Sequence, residues 1–350
     1  MSTDPKFAPD SSDPPLLDQY TALLHRSAGQ VYTTRGDGRQ HGVVEECGLL
    51  PVIDLGGLWS NDGGKRQACA ADIVRASSEW GFFQVVNHNI SPQLLGEMRR
   101  EQVKVFETPF QRKASGHGGF LNDSYRWGNS TATCPNQLSW SEAFHIPLTK
   151  ISDEAFYQDL TYLSLREVMR KLATAMSEVA RLLASVLAEN LGHPRALFDE
   201  YCNENTCFLR LNHYPRCPIS SSDIHGLVPH TDSDFLTILY QDQIGGLQLM
   251  KDSRWVSVQP NQDALVVNIG DLFQAWSNNI YKSVEHKVMS NKKVDRYSIA
   301  YFLCPSYDSL IGSFKEPSVY RKFTFDEYRR QVQEDVKKTG HKVGLPRFLL

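Results

Sequence analysis

The chain has 350 residues, with 41% hydrophobic and 22% charged side chains and a formal net charge of -3, the balance of an ordinary globular protein. The absence of a basic field excludes a nucleic-acid partner, and seven cysteines, an odd number with no CxxC pair, speak against a disulfide framework or a thiolate zinc site and for a reducing compartment. The opening MSTDPKFAPDSSDPP lacks the apolar core of a secretory signal and no apolar run is long enough for a bilayer, so a cytoplasmic or nucleocytoplasmic protein without a membrane partner is expected.

Four regions are expected along the chain: a tail and short helix over 1–50, a helical and α/β region over 51–205, a β-rich core over 206–315, and a helix with a tail over 316–350. Pro, Ser and Asp leave nothing to bury in 1–15, which is predicted disordered. A short amphipathic helix follows at 16–27 and a polar loop at 36–42. PVIDL at 51–55 reads as the first strand, followed by a helix at 65–79, the strand GFFQVVNH at 81–88 and a helix at 92–107. Ser91 before Pro92 suits an N-cap with proline in the first turn. Over 159–190, Leu165, Val168, Met169, Leu172, Ala175, Met176, Val179, Leu182, Leu183 and Val186 step by three and four, which makes one apolar stripe for packing against a sheet. Gly192 and Pro194 end that helix.

From Thr206 the texture changes. The runs CFLRLNHY, HGLVPH, FLTILY, GLQLM, RWVSV, ALVVNIG, YKSVEHKVM and RYSIAYFL recur about every ten residues, with Gly, Asn, Asp or Pro between them. Eight short strands of this kind predict a mainly β fold with α additions, built on a closed or double-sheet antiparallel barrel such as a jelly roll. A final helix is expected at 324–338.

The chemistry concentrates in the β half. His230 and Asp232, at i and i+2, point the same way if HTD lies at the mouth of a strand, although one such triplet fits turn formation equally well. His286 lies about five strands later, among the apolar neighbours Val284 and Val288, where a barrel brings the chain back across its first strands. Two histidines and one carboxylate make the facial triad of non-haem Fe(II) oxygenases, whereas zinc would ask for a fourth ligand or one water. A hairpin turning near Asn291 and Lys292 is expected to set Arg296 across from His286. Alternation then puts Arg296, Ser298, Ala300 and Phe302 on one face. An arginine aimed into an apolar barrel needs an anion, either a neighbouring acid such as Asp295 or Glu285, or a small carboxylate cosubstrate held bidentately with Ser298 beside it. Asn212 and Tyr214 add donors on a shared face. Asp234 is expected to hydrogen-bond within its loop, and His88, His213 and His225 are expected to be structural.

These motifs, NHYP at 212–215, HTD at 230–232, His286 and RYS at 296–298, together resemble the plant 2-oxoglutarate- and Fe(II)-dependent dioxygenase family, from PVIDL to the last helix. Within it, residues 227–288 are similar to the gibberellin oxidases, and SYRWGNSTATCPNQLSWSEAFHI at 124–146 resembles the gibberellin 2-oxidase branch acting on twenty-carbon (C20) precursors. The resemblance implies a double-stranded β-helix (jelly-roll) core flanked by helices. It implies Fe(II) on His230, Asp232 and His286, the distal carboxylate of 2-oxoglutarate on Arg296 and Ser298 with Tyr214 and Asn212 beside them, O2 as oxidant and ascorbate in support. The implied substrate is a small-molecule gibberellin, hydroxylated at the 2β position and so inactivated. Tyr125, Arg126, Trp127, Trp140, Phe144, Phe302 and Tyr307 are the candidate substrate contacts, with core packing an equal reading for each aromatic. Another apolar substrate, such as a C19 gibberellin or a flavonoid, and a non-catalytic barrel binding a small acid are the alternatives. Where relatives commonly have Gly, this chain has Asn89.

Overall fold

Strand alternation and one long apolar stripe settle the architecture. The computed structural model describes residues 15–28, 50–115, 120–156, 160–196, 198, 201–219 and 224–350. The stretch predicted disordered, apart from Pro15, and the loop at 36–42 lie outside them. The helices are α1 (Leu17–Ala28), α2 (Gly63–Glu79), α3 (Pro92–Phe106), α4 (Phe110–Ala114), α5 (Leu148–Ser152), α6 (Leu163–Asn190), α7 (Asp271–Trp276) and α8 (Phe325–Thr339). The strands are β1 (Val52–Asp54), β2 (Phe82–Val86), β3 (Tyr125–Trp127), β4 (Glu142–Pro147), β5 (Phe208–Tyr214), β6 (His225–His230), β7 (Leu236–Gln241), β8 (Leu247–Lys251), β9 (Arg254–Ser257), β10 (Leu265–Ile269), β11 (His286–Met289), β12 (Arg296–Leu303), β13 (Leu310–Ile311) and β14 (Phe323–Thr324).

Eight strands form the major sheet in the order β1-β2-β10-β7-β12-β5-β4-β3, and four form the minor sheet in the order β6-β11-β8-β9. Each of the eight predicted runs contributes a strand. From β5 to β12 the chain passes from one sheet to the other at every step except the β8–β9 hairpin, the double-sheet arrangement of a jelly roll. The helix α6 lies on the major sheet and buries Leu165, Met169, Leu172, Met176, Val179 and Leu183 of its predicted stripe. A fully enclosed leucine such as Leu172 contributes about 1.5–3 kcal/mol by leaving water. At α3 the expected cap is formed, with Ser91 Oγ accepting from Leu94 N at 3.1 Å and Pro92 opening the helix. Asn89 takes φ +62°, the left-handed region that asparagine tolerates next best to glycine.

The structure departs from the sequence reading in four places. YKSVEHKVM is extended and paired only over His286–Met289. The segment after it is not a hairpin: β11 belongs to the minor sheet and β12 to the major one, so Arg296 pairs with Tyr214 of β5, not with His286. Residues 290–295 cross between the sheets because the neighbouring β5–β6 connection holds them. Ser290 Oγ donates to Ile224 O, Cys217 N donates to Asn291 O, and Arg216 N donates to Asp295 Oδ1. Finally, the 124–146 stretch, expected at the substrate, supplies β3 and β4 to the edge of the major sheet, and DLFQAW forms α7.

Candidate active site

His230 ends β6 and His286 begins β11, and the two are direct partners in the minor sheet, so sheet register alone brings residues 56 positions apart together. Their rings lie 4.3 Å apart between centroids, and Phe82 packs edge-on against His286 at 5.1 Å. Asp232 follows His230 at the strand mouth. Its Oδ1 is 3.6 Å from His230 Nε2 and 3.8 Å from His286 Nε2, and one ligand atom from each of the three residues lies within 4.8 Å of the others. Each imidazole donates Nδ1–H to the carbonyl two residues earlier, His230 to Val228 at 2.9 Å and His286 to Val284 at 3.1 Å. That bond fixes the tautomer and turns both Nε2 atoms toward Asp232.

The carboxylate is braced from the other sheet. Thr237 on β7 and Asn268 on β10 are cross-strand partners, and both donate to Asp232 Oδ2, at 2.6 and 2.8 Å. Burial works against the charge of Asp232, but the two imidazoles and these donors outweigh it and hold its carboxyl down at about 2. Enclosure, with His286 alongside, pushes His230 down to about 3. At neutral pH the cluster therefore offers an ionised carboxylate and an unprotonated His230, so a cation displaces no proton from either. Asp234 is wholly buried beside them, and burial and the Asp232 charge raise its carboxyl well above the usual range. A hydroxyl has one proton to give, and Thr237 Oγ1 lies within reach of Asp234 Oδ2 at 2.9 Å as well. The Thr237 hydroxyl therefore serves one of the two carboxylates at a time. Only glycine fits opposite, since a Cβ on Gly270 would stand 2.1 Å from Asp234 Oδ1.

From outside, the C-terminal tail closes over this loop. Lys342 Nζ donates to Thr231 O at 2.9 Å, between two members of the cluster, and to Ser233 Oγ at 2.8 Å, and pairs with Asp271 Oδ2 at 2.7 Å. Asp271 also accepts from Thr231, Ser283 and Tyr328.

Across a cavity of about 340 Å³ stands Arg296. Its side chain is buried, Nη2 donates to Gln241 Oε1 at 2.7 Å, and Nε and Nη1 have no hydrogen-bond partner among the described residues. The Tyr214 ring lies 4.8 Å from the guanidinium carbon. Neither acid weighed as a partner pairs with it: Asp295 turns to His213 and Arg216, and Glu285 forms no ion pair with it among the described residues. An unpaired buried guanidinium costs several kcal/mol unless an anion completes it. Ser298 sits one alternation further along β12 with Asn212 Nδ2 donating to its Oγ at 3.4 Å, which leaves the hydroxyl proton free for the same anion. The donor sets at both ends of the cavity thus fit a divalent cation and a small carboxylate.

The model of the 2OG-Fe(II) oxygenase superfamily matches residues 205–305, and that of the non-haem dioxygenase in morphine synthesis N-terminal region matches residues 50–165. Gibberellin 2-beta-dioxygenase 6 of Oryza sativa subsp. japonica is 57% identical, with 98% of either chain covered. The chain belongs to the 2OG-Fe(II) oxygenase superfamily. Gibberellin 2-beta-dioxygenase 8 of Arabidopsis thaliana is 53% identical over 96% of this chain and 98% of its own. Among solved structures, JOX2 in complex with 2OG, Fe and JA superimposes with a TM-score of 0.69 at 30% identity, covering 87% of this chain and 91% of that one. The rice dioxygenase for auxin oxidation gives 0.70 at 30% identity, covering 86% and 100%. As a dioxygenase of this superfamily, the protein uses Fe(II) and 2-oxoglutarate.

Strand parity decides which of the other predicted residues reach this oxygenase cavity. Phe302 and Tyr307 line it together with Asn212, Tyr214, Arg296 and Ser298. Tyr125, Trp127, Trp140 and Phe144 do not. The Tyr125 hydroxyl donates to buried Glu142, which also holds Lys113 at 2.7 Å and His213 at 2.6 Å. Phe144 packs on Phe106 and Tyr125, and Trp140 on Tyr20 and Trp127. Arg126 is exposed and lies outside the lining. The cavity instead takes His145, Arg210 and Arg329, which sequence reasoning passed over. It also missed Thr237 and Asn268, whose signal was a lone polar residue inside each of the apolar runs FLTILY and ALVVNIG.

Proposed function

We propose that this protein is a gibberellin 2β-hydroxylase that inactivates its substrate in the cytoplasm, and that it prefers C20 gibberellins. The observation that carries the reading is the near full-length identity of 57% to a rice protein named for this activity, on a chain with a complete His-Asp-His cluster facing an unpaired buried arginine. The C20 preference is supported by the 124–146 stretch alone. Six free cysteines among the described residues suit a reducing compartment, and no described helix is long and apolar enough to cross a membrane.

In this reading His230, Asp232 and His286 hold Fe(II), and Arg296, Ser298, Asn212 and Tyr214 receive the distal carboxylate of 2-oxoglutarate. Bound iron, with 2-oxoglutarate and dioxygen, supplies the power to hydroxylate an unactivated C–H bond. The chain supplies the rest. Gln241 aims the guanidinium fork, Thr237 and Asn268 hold Asp232 in one orientation, and Leu239, Leu247, Val288 and Phe302 give the cavity a dry apolar wall for a rigid polycyclic skeleton. Incubation of the purified protein with Fe(II), ascorbate, 2-oxoglutarate and a panel of C20 and C19 gibberellins tests this. A hydroxylated product with equimolar succinate, favouring the C20 members, is expected; no gibberellin product alongside turnover of another substrate would refute it.

A further inference from the structure

We infer that Arg210 and Arg329, with the Tyr307 hydroxyl, form a second carboxylate subsite at the outer end of the cavity, one that anchors an acid group of the organic substrate. This inference rests on the reading of the cavity as the site of an acidic polycyclic substrate.

Arg210, Asn212 and Tyr214 alternate along the cavity face of β5, and Tyr214 is the register partner of Arg296. The backbone of Arg210 is therefore four residues, roughly 13 Å, along β5 from that of Tyr214, with Asn212 between them. Its Nε donates to Asn212 Oδ1 at 2.8 Å, which steadies the guanidinium and leaves both Nη groups to the cavity. Arg329 reaches the same cavity from α8. It donates to the Tyr307 hydroxyl, and its guanidinium carbon lies 5.0 Å from the Tyr307 ring centre and 5.8 Å from that of Phe325.

Neither arginine has an ion-pair partner among the described residues, although acids are abundant on α8. Asp326 pairs with Arg330, Glu327 with Arg321, Glu334 with Lys338 and Asp335 with Arg347. Arg329 is turned away from all of these toward an aromatic cradle in the cavity wall. His145, the register partner of Arg210 on β4, also lines this part of the cavity and stacks on Phe208 at 3.9 Å. Desolvation in the concavity, and then the charges of Arg210, Arg329 and Arg126, push it down to about 4, so it stays neutral and adds a polar contact without a third charge. Two preorganised guanidinium groups facing one space, each without an acid, are complementary to a carboxylate. Phe208 and Phe302, stacked at 4.3 Å, give that acid's carbon skeleton a flat apolar floor.

The test compares wild type, Arg329→Gln, Arg329→Lys and Arg210→Gln, using a gibberellin and its methyl ester. Binding to the anaerobic Fe(II)–2-oxoglutarate enzyme is measured by calorimetry, and KM and kcat by initial rates. Wild type is expected to prefer acid over ester by roughly 10- to 100-fold, the loss of one or two charge-assisted hydrogen bonds. Arg329→Gln should remove most of that preference by weakening the acid alone, raising KM far more than it lowers kcat, and Arg329→Lys should restore part of it. Equal binding of acid and ester by wild type, or equal losses for both in Arg329→Gln and Arg210→Gln, overturns the subsite. If wild type neither binds nor converts any gibberellin, the proposed substrate fails by itself. Aromatic and alicyclic carboxylates with their methyl esters then take the same comparison: an acid preference abolished by Arg329→Gln upholds the subsite, and no preference overturns it.

Discussion

Thr237→Val isolates the brace on the iron site without changing its shape. Valine matches threonine in volume but cannot donate, so Asp232 Oδ2 loses its 2.6 Å bond and keeps only Asn268, while buried Asp234 loses its 2.9 Å contact with the hydroxyl. Removing a partner that orients a metal ligand typically lowers metal affinity by about 10- to 100-fold, which corresponds to about 1.4–2.7 kcal/mol. The apoprotein should also lose about 1–3 kcal/mol of stability for the polar atoms left bare. Anaerobic calorimetric titration with Fe(II), and with Co(II) as a redox-stable substitute, measures the first quantity. Urea unfolding of the metal-free protein measures the second. Thr237→Ser, which restores the hydroxyl, should recover most of the affinity. An Fe(II) affinity within twofold of wild type in Thr237→Val would show that the orientation of Asp232 does not depend on this hydroxyl.

Arg296→Lys is expected to raise the KM for 2-oxoglutarate by roughly 10- to 100-fold while changing the gibberellin KM little, because an ammonium cannot make the two-pronged contact; initial rates at varied 2-oxoglutarate decide it. Lys342→Met should lower the urea midpoint of the metal-free protein and cost about 1–3 kcal/mol of unfolding free energy, less than a broken buried pair usually does, since Asp271 keeps the donors Thr231, Ser283 and Tyr328; an unmoved midpoint would contradict the role of the tail. The histidine His230 gives a pH signature. Unfolded, it takes up a proton as pH falls below its ordinary 6.5; folded, it does not until about 3. Metal-free stability should therefore fall with acidification across that window, by up to about 1.4 kcal/mol per pH unit from this group. His230→Asn should flatten the slope, and equal slopes in the two proteins would refute the assignment.

What could be read in the sequence followed from periodicity, and what could not depended on partners distant along the chain. The period-two runs of the β half and the three-four stripe of α6 each constrain a face locally, so the jelly roll and its covering helix were legible. His230 and Asp232 were legible as an i, i+2 pair. Which strand lies opposite Arg296 was not, because a six-residue connector serves a hairpin or a crossing equally well; the choice is made by contacts of Ser290, Asn291 and Asp295 with the β5–β6 connection. The substrate end failed on parity. On β4, Phe144 pairs with Leu211 and faces away from the cavity, while its neighbour His145 pairs with Arg210 and faces into it. The family resemblance over 124–146 pointed to the right strand and the wrong side of it. Lys342, in a tail without periodicity, gave no signal at all.

Anaerobic addition of Fe(II) and 2-oxoglutarate to the purified protein, followed by the visible charge-transfer absorption of the chelate, tests the central assignment most directly. One iron per chain is expected for wild type. No absorption is expected at any iron concentration for His286→Ala, whose residue meets His230 only through the pairing of β6 with β11. An undiminished band in His286→Ala would contradict the account.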